Sequence, residues 1–479
     1  MPIFKSIRIN KMNEILFKKA DEKLIKLVDL IQKSIKGTHF EGKTYIVGGC
    51  VRDLILGLPA KDVDIVVELP NGGMLFASYM AMKHQCYVAG TNPVVFETYG
   101  TAKFQLYKNE ELKDIEIECV QTRKEQYHKE SRNPDTVYGT IQEDAKRRDL
   151  TINSLYYNIS TEKIHDYNNG LDDLVNQVIK TPTDPDITFN DDPLRILRVI
   201  HFSTRFGWGI EKNTWLGMVK NAHRIKIISQ ERISDEISKI LLCEKPSIGI
   251  RKMYYCGILH RVMPDIYDTT YAFESKNPMV STFDHTMNVV DTVQPYLENR
   301  LAALFHDVGR IITDKRRDVN PDKFSAEVAA SDLKAMKFPN YVIKTVETAI
   351  KFHRGFAIYA DGVLPSDKKI RKFINLTGED LGATIDLMNA NNLHCTYGKK
   401  KRQVLDILNR IEEMEDAEKA ANVKLPINGN DIMKEFKIKG GPNIGILLEA
   451  VKDAYFENPN MTKDEAFEIV EKKLKSLTV

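Results

Sequence analysis

Apolar residues change period once along this chain. In the first part they recur in short runs, TYIVGG, VDIVVE, VVFETYG, AKFQLYK and DIEIECVQT, separated by turn-forming residues, which predicts strands. An amphipathic helix over roughly residues 13–36 precedes them, and this mixed α/β region is expected to end near Asn158. From Asp191 onward the spacing becomes three and four, as in DDPLRILRVIHFSTRF and ERISDEISKILL, which predicts helices. Gly/Pro-marked interruptions at 246–257, 264–278, 317–324 and 426–429 are expected to divide the helical part into about three packed groups. The expected fold class is α+β: a head with its N-terminal helix over 1–158, then a helical neck over 159–245, body over 246–395 and tail over 396–479.

Composition narrows the class without choosing a function. At 479 residues the chain exceeds what one core usually organises, and no stretch is long and apolar enough to span a bilayer. Lys and Arg total 69 against 67 Asp and Glu, a formal +2 that neither demands nor excludes nucleic acid. Six cysteines are scattered without a CxxC pair, which argues against a zinc ribbon or a disulfide scaffold and for a reducing cytoplasm. The opening MPIFKSIRINK lacks the apolar core of a secretory signal.

One strand breaks its own chemistry. In YIVGGCVRDLILGLPAKDVDIVVE the run Val63, Ile65, Val66, Val67 carries Asp62 and Asp64, although aspartate is a poor strand former. Residues two apart on a strand share a face, so both carboxylates project together and repel unless a cation sits between them. Hard oxygen donors of this kind suit Mg²⁺ held jointly with substrate phosphates. Gly48 and Gly49 precede an expected helix, where bare amides can approach a triphosphate. Phosphate-binding glycines and metal-binding aspartates about a dozen residues apart suggest nucleotidyl transfer, with metals clamping the attacking and leaving oxygens.

These residues resemble motif A, GGxVRD followed by DxD, of the class II tRNA nucleotidyltransferases, the CCA-adding enzymes and their poly(A) polymerase relatives in the polymerase-β superfamily. The resemblance assigns Arg52 and Asp53 to motif A geometry. It makes Glu118, in IECVQTRKEQY, the third carboxylate, with Glu116 on the same face as the alternative. RRDLTINS resembles motif B, which implies nucleotide and ribose contacts for Arg148, Asp149 and Asn153. DYNNGLDDL matches motif C through Asp166, Gly170 and Asp173, and ERISDE matches motif E through Arg232 and Glu236. Both read as structural, the second as an Arg/Glu pair within one helix.

DDPLR, from Asp191 to Arg195, reads as the start of a helix with Asp192 and Arg195 on one face. A carboxylate accepts from an exocyclic amine, and a guanidinium donates to ring nitrogen and carbonyl, so the pair suits cytosine and adenine and rejects guanine and uracil. It resembles the family's motif D, held to select CTP and ATP without a nucleic-acid template. Arg198 faces the phosphates or supports the helix.

Farther on, His285 in FDHTMNVVD, His306 and Asp307 in LAALFHDVGR, and His353 resemble the HD phosphohydrolase ligands. Ser325 or Ala326 stands where relatives have a further His, and Asn389-Ala390-Asn391 where they close the ligand set with EAD, so this site reads as a degraded remnant on a retained scaffold. Lys399, Lys400, Lys401 and Arg402 are candidate RNA phosphate contacts. The tail PINGNDIMKEFKIKGGPNIGILLEAVKDAYFENP resembles the RNA-binding tail of bacterial members. The resemblance implies an enzyme that adds CCA to the 3′ end of tRNA from CTP and ATP with Mg²⁺. The alternatives are a poly(A) polymerase, a CC-adding enzyme, an HD-domain phosphohydrolase and a plain RNA-binding protein.

Overall fold

Helix α1 (Glu22–Ile35) forms because Leu24, Leu27, Val28, Ile31 and Ile35 fall on one face, and all five are buried. It opens the part of the chain that the computed structural model describes: residues 22–59, 63–97, 100–128, 131–274, 277–310, 320–356, 363–394, 401–421, 425–457 and 461–477. Asp62, Lys399 and Lys400 lie outside the described residues, as do the side chains of Lys401 and Arg402.

The head follows as β1 (Thr44–Val47), α2 (Gly49–Leu56), β2 (Val63–Val67), α3 (Gly72–Lys83), β3 (Val94–Phe96), β4 (Thr101–Gln105) and β5 (Glu116–Gln121). A separate hairpin, β6 (Arg123–His128) and β7 (Ser131–Tyr138), leads to α4 (Ile141–Lys146), β8 (Leu155–Asn158) and β9 (Lys163–Asp166). Seven strands form one sheet in the order β3-β4-β5-β2-β1-β8-β9, so β9 carries the sheet past Asn158. Only β2 and β5 pair in parallel within it.

The strand pleat sorts the side chains onto two unequal faces. Val63, Ile65 and Val67 of β2, with Ile117 and Cys119 of β5, enter the large core shared with α1, α2 and α3. Val66 joins Tyr45, Val47, Tyr156 and the α4 residues Ile141 and Ala145 in a smaller cluster on the other face, with Val120 packed against it. Asp64 and Glu118 share the period of Val66 and Val120, and so belong to this thinly covered face.

Helices follow: α5 (Gly170–Asn176), α6 (Pro185–Asp191), α7 (Leu194–Phe206), α8 (Lys212–Asn221), α9 (Gln230–Leu241), α10 (Pro246–Tyr255), α11 (Leu259–Val262) and α12 (Pro264–Asp268). Next come α13 (Thr282–Thr292), α14 (Leu297–Phe305), α15 (Pro321–Ala335), α16 (Asn340–Phe352), α17 (Asp367–Thr377) and α18 (Leu381–His394). The expected interruption at 246–257 is instead helix α10, and Pro264 and Pro321 likewise begin helices. Proline in the first turn removes only an N–H that has no intrahelical acceptor, so it marks a start there and not a break.

The chain divides into two compact units. The first holds residues up to Arg354 together with 379–396. The second holds α17 with α19 (Lys401–Ala421), α20 (Gly429–Glu435), α21 (Pro442–Glu457) and α22 (Lys463–Leu477). Within it Arg410 grips both oxygens of Asp367, at 2.9 and 2.7 Å. Ile427, Ile432, Leu447, Val451, Met461, Ala466 and Val470 form its tail core.

Candidate active site

Asp64 pairs in register with Glu118 across the parallel β2–β5 step. Both side chains therefore stand at one level on the thin face, and Asp64 is the one position of β2 that is not fully buried. Lys103 on β4 reaches this edge, with Nζ 2.8 Å from Glu116 and 3.8 Å from Glu118. Glu116, then Glu118, hold its ammonium pKa above the usual value. Of the two alternatives for the third carboxylate, Glu118 is thus the one beside Asp64.

Gly48 turns the chain between β1 and α2 with φ 73° and ψ −133°, a conformation open essentially to glycine alone. A Cβ there would lie 3.5 Å from Nη1 of Arg148 and 3.9 Å from Oδ2 of Asp64. The missing side chain therefore leaves a gap bounded by a guanidinium and a carboxylate. Gly48 offers no amide to that gap, because its N–H donates to the Leu155 carbonyl at 3.3 Å. It supplies space, and the expectation of a bare donor at Gly48 is corrected. Gly49 begins α2. The Asp64 carboxylate borders a cradle that a Cβ would fill, with Glu118 in register on the next strand, and such oxygen donors fit a hard divalent cation.

Arg148 is oriented from below. Asp144 on α4, fully buried, accepts from Arg147 at 2.6 and 2.9 Å, from Arg148 at 3.2 and 3.3 Å, and from the Tyr156 hydroxyl at 2.6 Å. Burial pushes its pKa up, but Arg147, Arg148 and Tyr156 overcome this and hold it at about 2. Arg148 also donates to Tyr156 at 2.9 Å.

Asp149 is tied just as closely. Its carboxylate accepts from Arg198 at 2.7 Å, from Asn153 at 3.1 and 3.2 Å and from the Leu150 amide at 2.8 Å. Burial alone would raise its pKa; Arg198 and Asn153 bring it to about 2. Asn153 in turn accepts from the buried Arg52, whose guanidinium lies 4.8 and 5.3 Å from the ring centroids of Phe202 and Phe206 on α7. Arg52 also binds Asp53, at 2.8 Å, and Asp53 accepts from Arg205 of α7 at 3.2 Å. Arg52 and Asp53 thus join the head to the neck beneath the gap. Motif C does the same from the other side: the Thr151 hydroxyl donates to Asp173 at 2.7 Å, and Asp166 accepts from the amides of Gly170 and Leu171.

Asp192 and Arg195 do not share a helix face, which corrects the sequence expectation. Asp192 is extended, with φ −139° and ψ 100°, between α6 and α7, because Pro193 disfavours helical geometry in the residue before it. Its Oδ1 accepts from the Leu194 amide at 3.1 Å and its Oδ2 from Arg232 at 3.0 Å. Arg195 is buried and donates to the Arg147 carbonyl at 2.7 Å, linking α7 to the end of α4. The intrahelical pair expected for motif E is also corrected. Arg232 binds Asp192, while Glu236 approaches Arg198 at 3.5 Å and His201 at 3.6 Å and accepts from Lys239 at 2.7 Å. Glu236, raised by burial but lowered more by His201, Arg198 and Lys239, sits at about 2.

The HD-like residues gather elsewhere in the first unit. His285, His306 and Asp307 bring ligand atoms within 4.8 Å of one another, all buried. The His306 and His353 rings lie 5.5 Å apart. Asp307 is also held by Arg310 at 2.9 Å and Arg354 at 2.7 Å. At the two departures from the HD pattern, Asn391 bonds His285 at 2.9 Å and Ser325 accepts from the Gly309 amide at 2.8 Å.

Residues 44–180 match the Poly A polymerase head domain, and residues 207–269 match the region described as the probable RNA and SrmB-binding site of polymerase A. The mitochondrial CCA tRNA nucleotidyltransferase of Candida glabrata is 26% identical over 492 residues, covering 89% of each chain. That of Saccharomyces cerevisiae is 35% identical over 222 residues, covering 43% of this chain and 39% of the other. A solved CCA-adding enzyme in its apo form II shares the fold, with a TM-score of 0.61 and 22% identity over 97% of this chain and 98% of that one.

The head is a nucleotidyltransferase domain of the poly(A) polymerase type. The chain as a whole is similar, along most of its length, to CCA tRNA nucleotidyltransferases, whose superfamily works with divalent metals.

Proposed function

We propose that the protein adds C, C and A in turn to the 3′ end of tRNA, using CTP and ATP and releasing pyrophosphate. The observation that carries this reading is Asp64 standing in register with Glu118 beside the Gly48 gap. The near full-length likeness to a CCA tRNA nucleotidyltransferase supports the choice of substrate.

In this reading Asp64 with Asp62, supported by Glu118, would hold Mg²⁺, which when bound neutralises charge on the reacting phosphoryl oxygens. The terminal ribose hydroxyl attacks the α-phosphorus and the β,γ-pyrophosphate leaves. Arg148, aimed at the gap by Asp144, places a fixed positive charge against the triphosphate, and the Gly48–Gly49 turn gives it room. Asp149, anchored by Arg198 and Asn153, accepts from the nucleotide ribose. Asp192 and Arg195 read the base, the carboxylate taking the exocyclic amine and the guanidinium the adjoining acceptors. The HD-like cluster serves as scaffold, and the second unit, with Lys399 to Arg402, contacts RNA phosphates. Five described cysteines are buried free thiols, which supports a reducing compartment such as the cytoplasm.

The test is incubation with tRNA lacking its last three nucleotides and with CTP alone, ATP alone or both. Two additions from CTP, followed by one from ATP only after them, is the expected result. Long A tails would select a poly(A) polymerase instead, and arrest after CC a partial enzyme.

A further inference from the structure

The selector aspartate lies outside regular secondary structure. Asp192 lies in the extended link between α6 and α7, outside either helix, so its carboxylate takes its direction from the groups that hold its two oxygens. One is local, the Leu194 amide on Oδ1. The other comes from 40 residues away: Arg232 on α9 donates to Oδ2 at 3.0 Å. Two hydrogen bonds, one on each oxygen, fix the plane of the carboxylate and hence which direction its remaining lone pairs face.

Stability does not account for this bridge. The side chains of Asp192 and Arg232 are 16% and 40% exposed, and a pair that open to solvent contributes little to folding. Its geometry has a companion one helical turn along α9, where Glu236 reaches Arg198, which in turn grips Asp149. From one face α9 thus holds a residue of the base-reading pair and, through Arg198, the residue assigned to the ribose.

We propose that Arg232 is a positioning residue for base selection, fixing the Asp192 carboxylate in the direction from which it accepts the exocyclic amine of cytosine or adenine. This rests on the reading that Asp192 and Arg195 select the base. Uracil and guanine present a carbonyl where cytosine and adenine present that amine, so a carboxylate held in one direction repels them. A carboxylate free to turn away loses both the attraction and the repulsion.

The experiment measures kcat and KM for CTP, ATP, UTP and GTP on tRNA lacking its 3′ end, in wild type, Arg232→Ala, Arg232→Lys and Asp192→Ala, beside thermal midpoints. For Arg232→Ala we expect discrimination against UTP and GTP to fall about tenfold or more, with the midpoint nearly unchanged. Arg232→Lys should restore part of it, because lysine keeps the charge but not the planar fork. If Asp192→Ala lowers discrimination and Arg232→Ala leaves it at the wild-type level, the positioning role is overturned. If Asp192→Ala itself leaves discrimination intact, the base-selection reading fails first. Should the alanine variant unfold, Arg232→Lys decides by the same ratio: unchanged discrimination overturns the proposal and reduced discrimination supports it.

Discussion

Asp64 on β2 and Glu118 on β5 occupy the same register of a parallel strand pair, their side chains on the thinly covered face of the sheet. Carboxylates that close raise one another's cost of ionisation unless a cation or a guanidinium intervenes. Asp64→Asn keeps the volume and removes the charge, so incorporation of CTP and ATP should fall by roughly a thousandfold or more, the scale of losing a principal transition-state contact. Binding of tRNA, followed by filter retention at fixed salt, should stay within about twofold because phosphate contacts elsewhere carry it. Glu118→Gln should lose less, because Lys103 already offsets part of that charge.

Gly170 packs against the turn that follows Arg148 and Asp149, and a Cβ at this position would fall 2.2 Å from the Thr151 carbonyl oxygen. Neither side can yield cheaply, since Asp173 pins the Thr151 side chain and Asp166 caps the helix that Gly170 begins. Gly170→Ala should therefore destabilise by about 3 kcal/mol, the upper end of ordinary overpacking. A urea-midpoint comparison checks this. Nucleotide KM should rise as well, because Asp149 lies two residues before Thr151.

The two relationships differ in how far the chain announces them. Asp64 shows itself, together with Asp62, through a period of two in an apolar strand, whereas Glu118 follows only from the resemblance and the Gly170–Thr151 approach leaves no local sign. Asp144 also left a trace, standing three and four residues before Arg147 and Arg148, a spacing at which side chains meet on one helix face. DDPLR misled, because a run of acids before an apolar stripe looks like a helix start, whereas Pro193 moves that start to Leu194. The hold of Arg232 on Asp192 left no trace at all. It joins elements 40 residues apart through tertiary packing, and nothing local distinguishes it from a pair with Glu236.

Asp144 makes this region acid-sensitive in a calculable sense. Its folded pKa of about 2 lies below the ordinary carboxylate value near 3.8, so the native state binds fewer protons than the unfolded state. The resulting stabilisation is complete above about pH 4 to 5 and is lost as pH falls toward 2, on the order of 2 kcal/mol for this group. Asp144→Asn should flatten that part of the stability profile. It should also lower incorporation at neutral pH, since Arg148 then loses the charge that aims it; circular dichroism melts between pH 2 and 6, beside an activity assay at pH 7, check both.

Arg52 makes three kinds of contact: with Asp53 beside it in motif A, with Asn153 of the head, and with the ring faces of Phe202 and Phe206 in the neck. Lysine can keep one of these but not all, because an ammonium has no planar fork to bridge two acceptors while lying over rings. Arg52→Lys should therefore cost about 2 kcal/mol, from weakened stacking and a buried acceptor left short of its donor. Phe202→Ala in the same background separates the contributions: if stacking matters, the double variant should be less destabilised than the sum of the two single changes. Strict additivity in chemical denaturation would instead mean that the guanidinium acts only through its hydrogen bonds.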